Sequence, residues 1–240
     1  KYNLKYILYR FIQHRAFLKS NAIVAISKRT HDSIIHFQSD VKDRVYDIYN
    51  GYNFDDIIKQ SQIHSVDNTC TFRLISLGRL SNVKNVILQL EAIELLRARN
   101  IEVELLILGE GEQKGIIEEY ATRNHRIKIL GFRSNPYPYI AASDGLIITS
   151  FSEGFPTIAV EAMALGKPVI STPVAGTEEL ITKDTGIIVN WNAEDVASGI
   201  KKLMSSYYDS DTIKQHVSQY TKERWAENVK CLLNSLDDGK

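Results

Sequence analysis

Two glutamates lie eight positions apart in the segment 150–161, and they are the residues of this sequence best placed to do chemistry. Glu153 falls in a glycine-containing loop. Glu161 falls on the helix predicted to follow, where Pro156 suits the first turn because its missing N–H costs nothing there. The apolar residues 145–149 predict a buried strand before the loop. Strand, loop and helix start together are typical of an anion site, since the N–H groups of a helix start point at the ligand.

Such a segment suits the binding of a sugar nucleotide. The Glu153 carboxylate can accept hydrogen bonds from sugar hydroxyls, while the helix start near Thr157 stabilises phosphate charge. Glu161 can hold both hydroxyls of a ribose, because the two oxygens of a carboxylate match a vicinal diol. The alternative interpretation is that both glutamates only complement the positive end of the helix dipole.

A second motif carries two cations at a turn between a strand and a helix. Residues 72–77 predict the strand and residues 85–99 have the periodicity of a helix. Arg79 and Lys84 lie between them, the first offering a bidentate fork and the second a compact point charge for a diphosphate. The alternative is that both are solvated cations beside an ordinary turn.

These two motifs resemble the retaining glycosyltransferases of family 4, which have the GT-B architecture of two facing Rossmann-like domains. The matching segments are Glu-Gly-Phe-Pro at 153–156, Glu-Ala-Met-Ala-Leu-Gly-Lys-Pro-Val-Ile at 161–170, and Gly-Thr-Glu-Glu at 176–179 followed by Gly186. The family usually has a glycine after the lysine, where this chain has Asn85. An asparagine can cap a helix and tolerates unusual backbone angles, so we expect the site to be preserved.

The resemblance implies roles for individual residues. Arg79 and Lys84 would bind the donor pyrophosphate and assist its departure, Glu153 would contact the donor sugar, and these three are the expected catalytic residues. Glu161 would bind the ribose, and the segment 131–133 would place backbone groups against the base. The expected donor-binding residues are Gly78, Gly131, Phe132, Arg133, Gly154, Phe155, Pro156, Thr157 and Glu161. We expect the tyrosines that follow, Tyr137 and Tyr139, to be packing residues.

The order of predicted elements gives an α/β fold class. Strands and helices alternate from 72 to 188, as in one doubly wound Rossmann-like domain with a parallel sheet, and two of its strands are predicted at 102–108 and 126–130. Residues 1–50 supply only two strand candidates, 22–27 and 45–49, and two helices. The resemblance implies a remnant of an N-terminal acceptor domain at 1–55, a linker at 56–70, the donor domain at 71–220, and a helix at 221–240 that crosses back. We therefore expect an incomplete acceptor domain and a chain that binds nucleotide but transfers sugar poorly by itself.

The partners implied by the resemblance are a nucleoside-diphosphate sugar as donor and a carbohydrate or lipid-linked saccharide as acceptor, in bacterial polysaccharide, lipopolysaccharide or capsule assembly. Neither a cofactor nor a metal is expected, and the acidic pair Asp209 and Asp211 is predicted to be a solvated loop. Two alternatives stay open. One is a GT-B enzyme of another reaction type, a phosphorylase or an epimerase, and the other is a non-catalytic module that binds nucleotide sugars.

Composition narrows the class of protein further. The 240 residues are 44% hydrophobic with a formal net charge of zero, and this balance argues against nucleic acid as a partner. Cys70 and Cys231 have no metal-ligand spacing, which favours a reducing, cytoplasmic compartment. No apolar run approaches the ~20 residues that span a membrane. The first acid is Asp32, so the N-terminal segment could be a basic amphipathic helix resting on the inner face of the cytoplasmic membrane, or an ordinary surface helix.

Overall fold

The computed structural model describes residues 4–67 and 71–237. The chain divides into two compact units, one formed by Lys1–Gly51 with Lys222–Lys240 and the other by Tyr52–Thr221. Cys70, on which part of the compartment argument rests, lies outside the described residues. Cys231 is an exposed free thiol.

The smaller unit contains a two-stranded parallel sheet. Its elements are α1 (Leu4–Lys19), β1 (Ile23–Ala25), α2 (Lys28–Phe37), a 3-10 helix (Ser39–Arg44), β2 (Val45–Asp47) and a C-terminal helix (Lys222–Asp237). Strand β1 pairs with β2, and Ile34 of α2 packs with the apolar residues of both strands. The side chain of Ser27 begins α2 by accepting a hydrogen bond from the N–H of Thr30, as an N-cap serine does. Both strands predicted here are confirmed, each shorter than its sequence pattern.

Helix α1 is confirmed as a helix, and of the two alternatives for it the amphipathic one does not agree with its side chains. None of its described residues is buried. Its exposed apolar side chains include the four consecutive positions 6–9, which take in more than a full turn of an α-helix. Apolar residues therefore lie on all sides of α1 and do not form one face.

The larger unit is built on six strands with helices between them. The strands are β3 (Phe72–Leu77), β4 (Val103–Leu108), β5 (Ile127–Gly131), β6 (Gly145–Ile148), β7 (Val169–Ser171) and β8 (Gly186–Ile188). The helices are α3 (Phe54–Ser61), α4 (Val86–Ala98), α5 (Lys114–Arg123), α6 (Tyr137–Ala141), α7 (Thr157–Ala164), α8 (Thr177–Leu180), α9 (Ala193–Ser205) and α10 (Ser210–Val217).

The strand order β5-β4-β3-β6-β7-β8 has a topological switch point at its centre. All five strand pairs are parallel. The chain moves outward from β3 to β5, and then returns to place β6 on the other side of β3. Ligands of doubly wound sheets bind beyond the carboxyl ends of the strands at such a reversal. The predicted α/β class with a parallel Rossmann-like sheet is confirmed.

The interior of this unit is apolar on both faces of the sheet. Every residue of β4 is buried, as expected of a central parallel strand that helices cover on both sides. Leu90 and Ile93 of α4 and Ile200 of α9 belong to one continuous apolar cluster with Leu105 and Ile147 of the sheet. This packing fixes the strand ends on which the site depends.

One charged network crosses the buried sheet. Arg73 of β3 donates a hydrogen bond to Glu104 of β4, and Lys128 of β5 pairs with the other oxygen of the same carboxylate. The Glu104 side chain is 2% exposed. Burial pushes the pKa of Glu104 upward, but the hydrogen bonds and charges of Lys128 and Arg73 outweigh burial, and the pKa lies below its ordinary value.

Two segments predicted as loops contain helix. Helix α3 occupies the start of the predicted linker, because Asn53 caps it and Ile57 is buried against the unit. Residues 62–67 are irregular, and 68–70 lie outside the described residues. Asp209 and Asp211 are exposed to solvent, as predicted, but they do not form a loop. Asp209 accepts a hydrogen bond from the N–H of Thr212 and caps α10, whose first turn contains Asp211.

Candidate active site

The loops that carry the two predicted motifs meet at the switch point of the sheet. Arg79 and Lys84 follow the carboxyl end of β3, and Glu153 follows the carboxyl end of the adjacent strand β6. The N–H of Phe151 donates a hydrogen bond to the carbonyl oxygen of Val83, with the two atoms 2.8 Å apart. Tertiary structure therefore joins segments that are about seventy residues apart in sequence.

Lys84 and Glu153 form a direct ion pair. The Lys84 Nζ lies 2.6 Å from Glu153 Oε1, and the hydroxyl of Ser150 donates to the same oxygen at 2.6 Å. Of the two side chains, Lys84 is 34% exposed and Glu153 only 14%. A cation and a carboxylate are thus held side by side at the edge of the crevice, where each can turn to a ligand.

Two buried polar side chains, those of Thr149 and Gln89, hold the backbone that follows Lys84. The hydroxyl of Thr149 donates to the carbonyl of Asn85 at 2.8 Å, and Gln89 donates to that hydroxyl oxygen at 2.9 Å. Asn85 itself has φ 49° and ψ 45°, the left-handed region, and its side chain makes no capping hydrogen bond to α4. Asn85 thus occupies the N-cap position with the unusual backbone expected of it, but its side chain does not supply the cap.

Arg79 extends into solvent beside the crevice. Its side chain is 78% exposed, and the nearest carboxylate oxygen, of Glu112, lies 3.8 Å from its Nε. Exposed ion pairs of this length contribute little free energy, so the guanidinium can exchange partners at small cost.

The ends of β3, β4 and β5 approach closely through glycine. The N–H of Gly78 donates to the carbonyl of Leu108, and that of Gly109 donates to Gly131, both at 3.0 Å. A Cβ at Gly109 would lie 1.8 Å from the carbonyl oxygen of Gly78, and φ there is +146°. Any side chain at Gly109 would therefore push apart the backbone that forms the floor of the crevice.

A cavity of about 530 Å³ opens above this floor. Its size is that of a small-molecule site. Its lining includes Gly78, Arg79, Gly109, Glu110, Phe132, Arg133 and Pro136. A second cavity of about 20 Å³ shares Gly78 and Arg79 with the first and extends to Lys84 and Glu153. Phe132 and Arg133 thus line the larger cavity, Lys84 and Glu153 line the smaller one, and Gly78 and Arg79 line both; we call the two neighbouring cavities together the recess.

Glu161 lies on α7 against a tyrosine that sequence analysis assigned to packing. The hydroxyl of Tyr137 donates to Glu161 Oε1 at a long 3.4 Å. Burial raises the pKa of Glu161 and the hydrogen bond from Tyr137 offsets part of that rise. Burial, followed by the charge of Glu161, raises the pKa of Tyr137 to about 12. Tyr137 follows the cavity residue Pro136, but no sequence spacing links it to Glu161.

The remaining predicted donor residues support the loop after β6. Phe155 is buried, with its ring centroid 5.6 Å from that of Tyr220, and Pro156 is buried beside it. Gly154 and Thr157 are exposed, and Thr157 is the first residue of α7, whose N-cap residue Pro156 makes no side-chain capping hydrogen bond. Phe155 and Pro156 therefore anchor the loop, while Gly154 and Thr157 lie at its surface.

Trp191, which sequence analysis did not single out, holds the same loop from the far side. It follows β8, and its indole N–H donates to the carbonyl of Ser150 at 2.9 Å. The hydroxyl of Thr172, which follows β7, donates to that carbonyl at 2.8 Å. The sequence offers only one sign of the role of Trp191, namely a tryptophan directly after a strand that ends on the ligand-binding edge of the sheet.

Within residues 4–67 and 71–237, no cluster of three or more histidine, cysteine, aspartate or glutamate side chains is arranged to hold a metal ion. Among the helices of the same residues, none combines the length and apolar character needed to cross a bilayer.

The family model of the "Glycosyl transferases group 1" matches residues 71–206, more than half of the chain. The chain belongs to the group 1 glycosyl transferases. The matched range contains both motifs, the recess between them and all six strands of the larger sheet.

Two curated relatives have named activities or processes. An N-acetylgalactosamine-N,N'-diacetylbacillosaminyl-diphospho-undecaprenol 4-alpha-N-acetylgalactosaminyltransferase of Campylobacter jejuni is 26% identical over 231 residues, 93% of this chain and 60% of that protein. The capsular polysaccharide biosynthesis glycosyltransferase CapM of Staphylococcus aureus is 22% identical over 240 residues, 94% of this chain and 63% of that protein. The chain thus spans less than two thirds of the length of these relatives.

Solved structures share the fold. HepE of Anabaena, in complex with UDP and glucose, superposes with a TM-score of 0.80 at 23% identity, covering 94% of this chain and 66% of that one. The fold is that of the GT-B glycosyltransferases, as predicted.

Proposed function

We propose that this chain carries the donor site of a retaining glycosyltransferase of family 4, which moves a sugar from a nucleoside-diphosphate sugar to a saccharide acceptor. The observation that carries the proposal is the meeting of Lys84 and Glu153 at the switch point, at one end of a recess that Arg79 flanks. A cation for the diphosphate therefore lies next to a carboxylate for the sugar, just as the diphosphate is bonded to the sugar in such a donor.

The recess suggests how the donor lies. The base would occupy the larger cavity beside Phe132 and Arg133. The ribose hydroxyls would reach Glu161, whose carboxylate contacts Tyr137 next to the cavity residue Pro136. The diphosphate would lie over Gly78, between Arg79 and Lys84, with the open start of α7 at Thr157 facing it. The sugar would then lie against Glu153.

The chemistry proposed for these residues is electrostatic. Negative charge grows on the diphosphate as its bond to the sugar breaks, and cations already fixed in place stabilise that charge more in the transition state than in the bound donor. Lys84 would exchange Glu153 for the diphosphate, which frees the carboxylate to accept hydrogen bonds from the sugar. Metal independence is part of this proposal, since Arg79, Lys84 and the helix start supply the positive charge.

The relatives support a proposed setting. One is named for a transfer to a diphospho-undecaprenol-linked saccharide and another for capsular polysaccharide biosynthesis. We extend to this chain a role in bacterial polysaccharide, lipopolysaccharide or capsule assembly, in the cytoplasm or at the inner face of its membrane. A lipid-linked saccharide is the acceptor class that fits this setting.

Calorimetric titration with UDP, GDP and ADP, with and without magnesium, tests the donor site. We expect one nucleotide to bind without metal, and the variants Arg79→Ala and Glu161→Ala to weaken that binding at least about tenfold, the loss expected for a charge-assisted hydrogen bond. Arg99→Ala is the matched control, because Arg99 is another exposed arginine but pairs with Glu194 outside the recess. Failure of a folded chain to bind any of the three nucleotides, or equal losses in the control, would contradict the proposal.

A further inference from the structure

Three exposed apolar side chains lie near the Lys84–Glu153 pair, either in the adjoining sequence or through hydrogen bonds. Val83 precedes Lys84 and is 52% exposed, and Phe151 lies two positions before Glu153 and is 58% exposed. The backbone hydrogen bond between Phe151 and Val83 holds these two positions together. Trp191, hydrogen-bonded to the residue next to Phe151, is 42% exposed. We call these three residues the apolar platform.

The ring of Trp191 is held in place and still presents surface to solvent. From the end of β8 it reaches past β7 to the loop after β6, where the Ser150 carbonyl accepts its indole N–H. The hydroxyl of Thr172 fixes the same carbonyl. A tryptophan whose polar end is satisfied loses little further conformational freedom when a ligand packs on its exposed face.

The strand order places Trp191 beyond the sugar end of the donor, while Phe151 lies in the loop after β6 that also carries Glu153. Along the carboxyl edge, the large cavity lies at β3, β4 and β5, and Glu153 follows β6. Neighbouring strands are about 4.8 Å apart, so β5 to β6 spans about 14 Å, room for an extended nucleoside diphosphate. Trp191 follows β8, two strands further in the same direction. A nucleotide in the large cavity would leave the β8 side of the sugar open to the acceptor.

We infer that Val83, Phe151 and Trp191 form a subsite for a pyranose ring of the saccharide acceptor; this inference rests on the proposed function. A pyranose has a face of C–H groups that packs on an aromatic ring, while its hydroxyls stay at the wet rim. Burying that face removes apolar surface from water on both partners. The nearby carboxylate of Glu153 places the subsite next to the reacting sugar.

Saturation-transfer-difference NMR tests the subsite, with chitotriose and maltotriose as probes and the 240-residue chain observed with and without UDP. We expect saturation of aromatic protons to reach the ring C–H protons of at least one probe. Trp191→Ala and Phe151→Ala should each lower the transfer about fivefold, the effect expected of one lost aromatic contact. Trp225→Ala is the matched control, because Trp225 is 41% exposed on the C-terminal helix and should leave the transfer unchanged.

The variant Trp191→Phe distinguishes two roles of Trp191, a surface that binds the saccharide and an anchor that only holds the loop. Phenylalanine keeps an aromatic face but loses the N–H that reaches Ser150. Transfer close to wild type in this variant supports the platform, whereas a loss equal to that of Trp191→Ala refutes it. No transfer to either probe also refutes the inference.

The nucleotide titration keeps this inference distinct from the proposed function. Phe151→Ala keeps the backbone hydrogen bond to Val83 and should bind nucleotide as wild type does. NMR saturation transfer to a saccharide probe in a chain that binds no nucleotide would support the subsite and contradict the donor site. Nucleotide binding with no saturation transfer to the saccharide probes would support the donor site and contradict the subsite.

Discussion

At the scale of single residues, Lys84 and Glu153 have opposite effects on a diphosphate. Lys84→Ala removes the cation, and we expect nucleotide affinity to fall about tenfold to a hundredfold, the range for a lost hydrogen bond to a charged group. Glu153→Gln removes a negative charge 2.6 Å from that lysine and releases it for the ligand, so UDP or its counterpart should bind as well or more tightly. Calorimetry of both variants checks the signs; a parallel loss in both would contradict the exchange of partners.

Glu161 should couple nucleotide binding to proton release. Burial raises its pKa above the ordinary 4.5, so just above that value the free site still holds a proton. Ribose hydroxyls that donate to the carboxylate favour its charged form and lower the pKa. The complex then binds fewer protons than the free chain, and affinity should rise with pH across this window.

Calorimetry at one acidic pH in two buffers of different ionisation enthalpy measures that proton. The apparent binding heat should depend on the buffer more strongly for the wild-type chain than for Glu161→Gln, since protons from the terminal phosphate of the nucleotide contribute to both. The same buffer dependence in the two chains would show that Glu161 does not change its protonation on binding.

At the scale of elements, the charged network across β3, β4 and β5 predicts a large loss of stability from one isosteric change. Glu104→Gln leaves the buried Arg73 guanidinium without its counter-charge, and we expect the free energy of unfolding to fall by about 3–5 kcal/mol. Lys128→Gln should cost much less, because that lysine is 49% exposed. Urea denaturation compares the two variants.

The pH dependence of this network follows from the pKa of Glu104. Because the folded-state pKa is lowered, the stabilisation is full above the ordinary carboxyl value of 4.5 and is lost as pH falls through the lower folded value. Glu104→Gln should therefore flatten the acid limb of the stability profile. An acid limb unchanged by the substitution would mean that other carboxylates dominate it.

The junction of the lysine loop with α4 depends on the left-handed backbone of Asn85. Asn85→Gly should keep or slightly raise the melting temperature, because glycine adopts φ 49° without strain. Asn85→Val should lower stability by about 1–2 kcal/mol, since a β-branched residue is strained there. Thermal unfolding of both variants measures the effect, and equal melting temperatures would argue against a strained junction.

At the scale of the whole molecule, the proposed donor site lies entirely within the unit Tyr52–Thr221. A nucleotide present at 100 times its Kd stabilises the state it binds by about 2.7 kcal/mol. We expect this unit to gain that stability, with hydrogen-exchange protection concentrated in the loops after β3, β5 and β6. Protection centred on Lys1–Gly51 instead would contradict the location of the site.

The sequence by itself determined the local elements and the chemistry of the motifs. Strand β3 coincides with the predicted residues 72–77, because a largely apolar run that ends at a glycine can be recognised from neighbouring residues alone. The placement of Glu153 in a loop and Glu161 on the following helix is also confirmed, since proline and glycine restrict the backbone locally. The side-chain caps of helices were harder to predict from the sequence: Asp209 caps a helix and the side chain of Asn85 does not. The reason is that a cap depends on which N–H groups the fold leaves unpaired.

Only the tertiary structure decided which residues meet. The strand order brings the ends of β3 and β6 together, and so pairs Lys84 with Glu153. It also brings Tyr137 to Glu161 and the indole of Trp191 to Ser150. These contacts join residues 24 to 69 positions apart in the chain. No local pattern encodes them, because the order of strands is set by how all the apolar faces of the unit are buried at once.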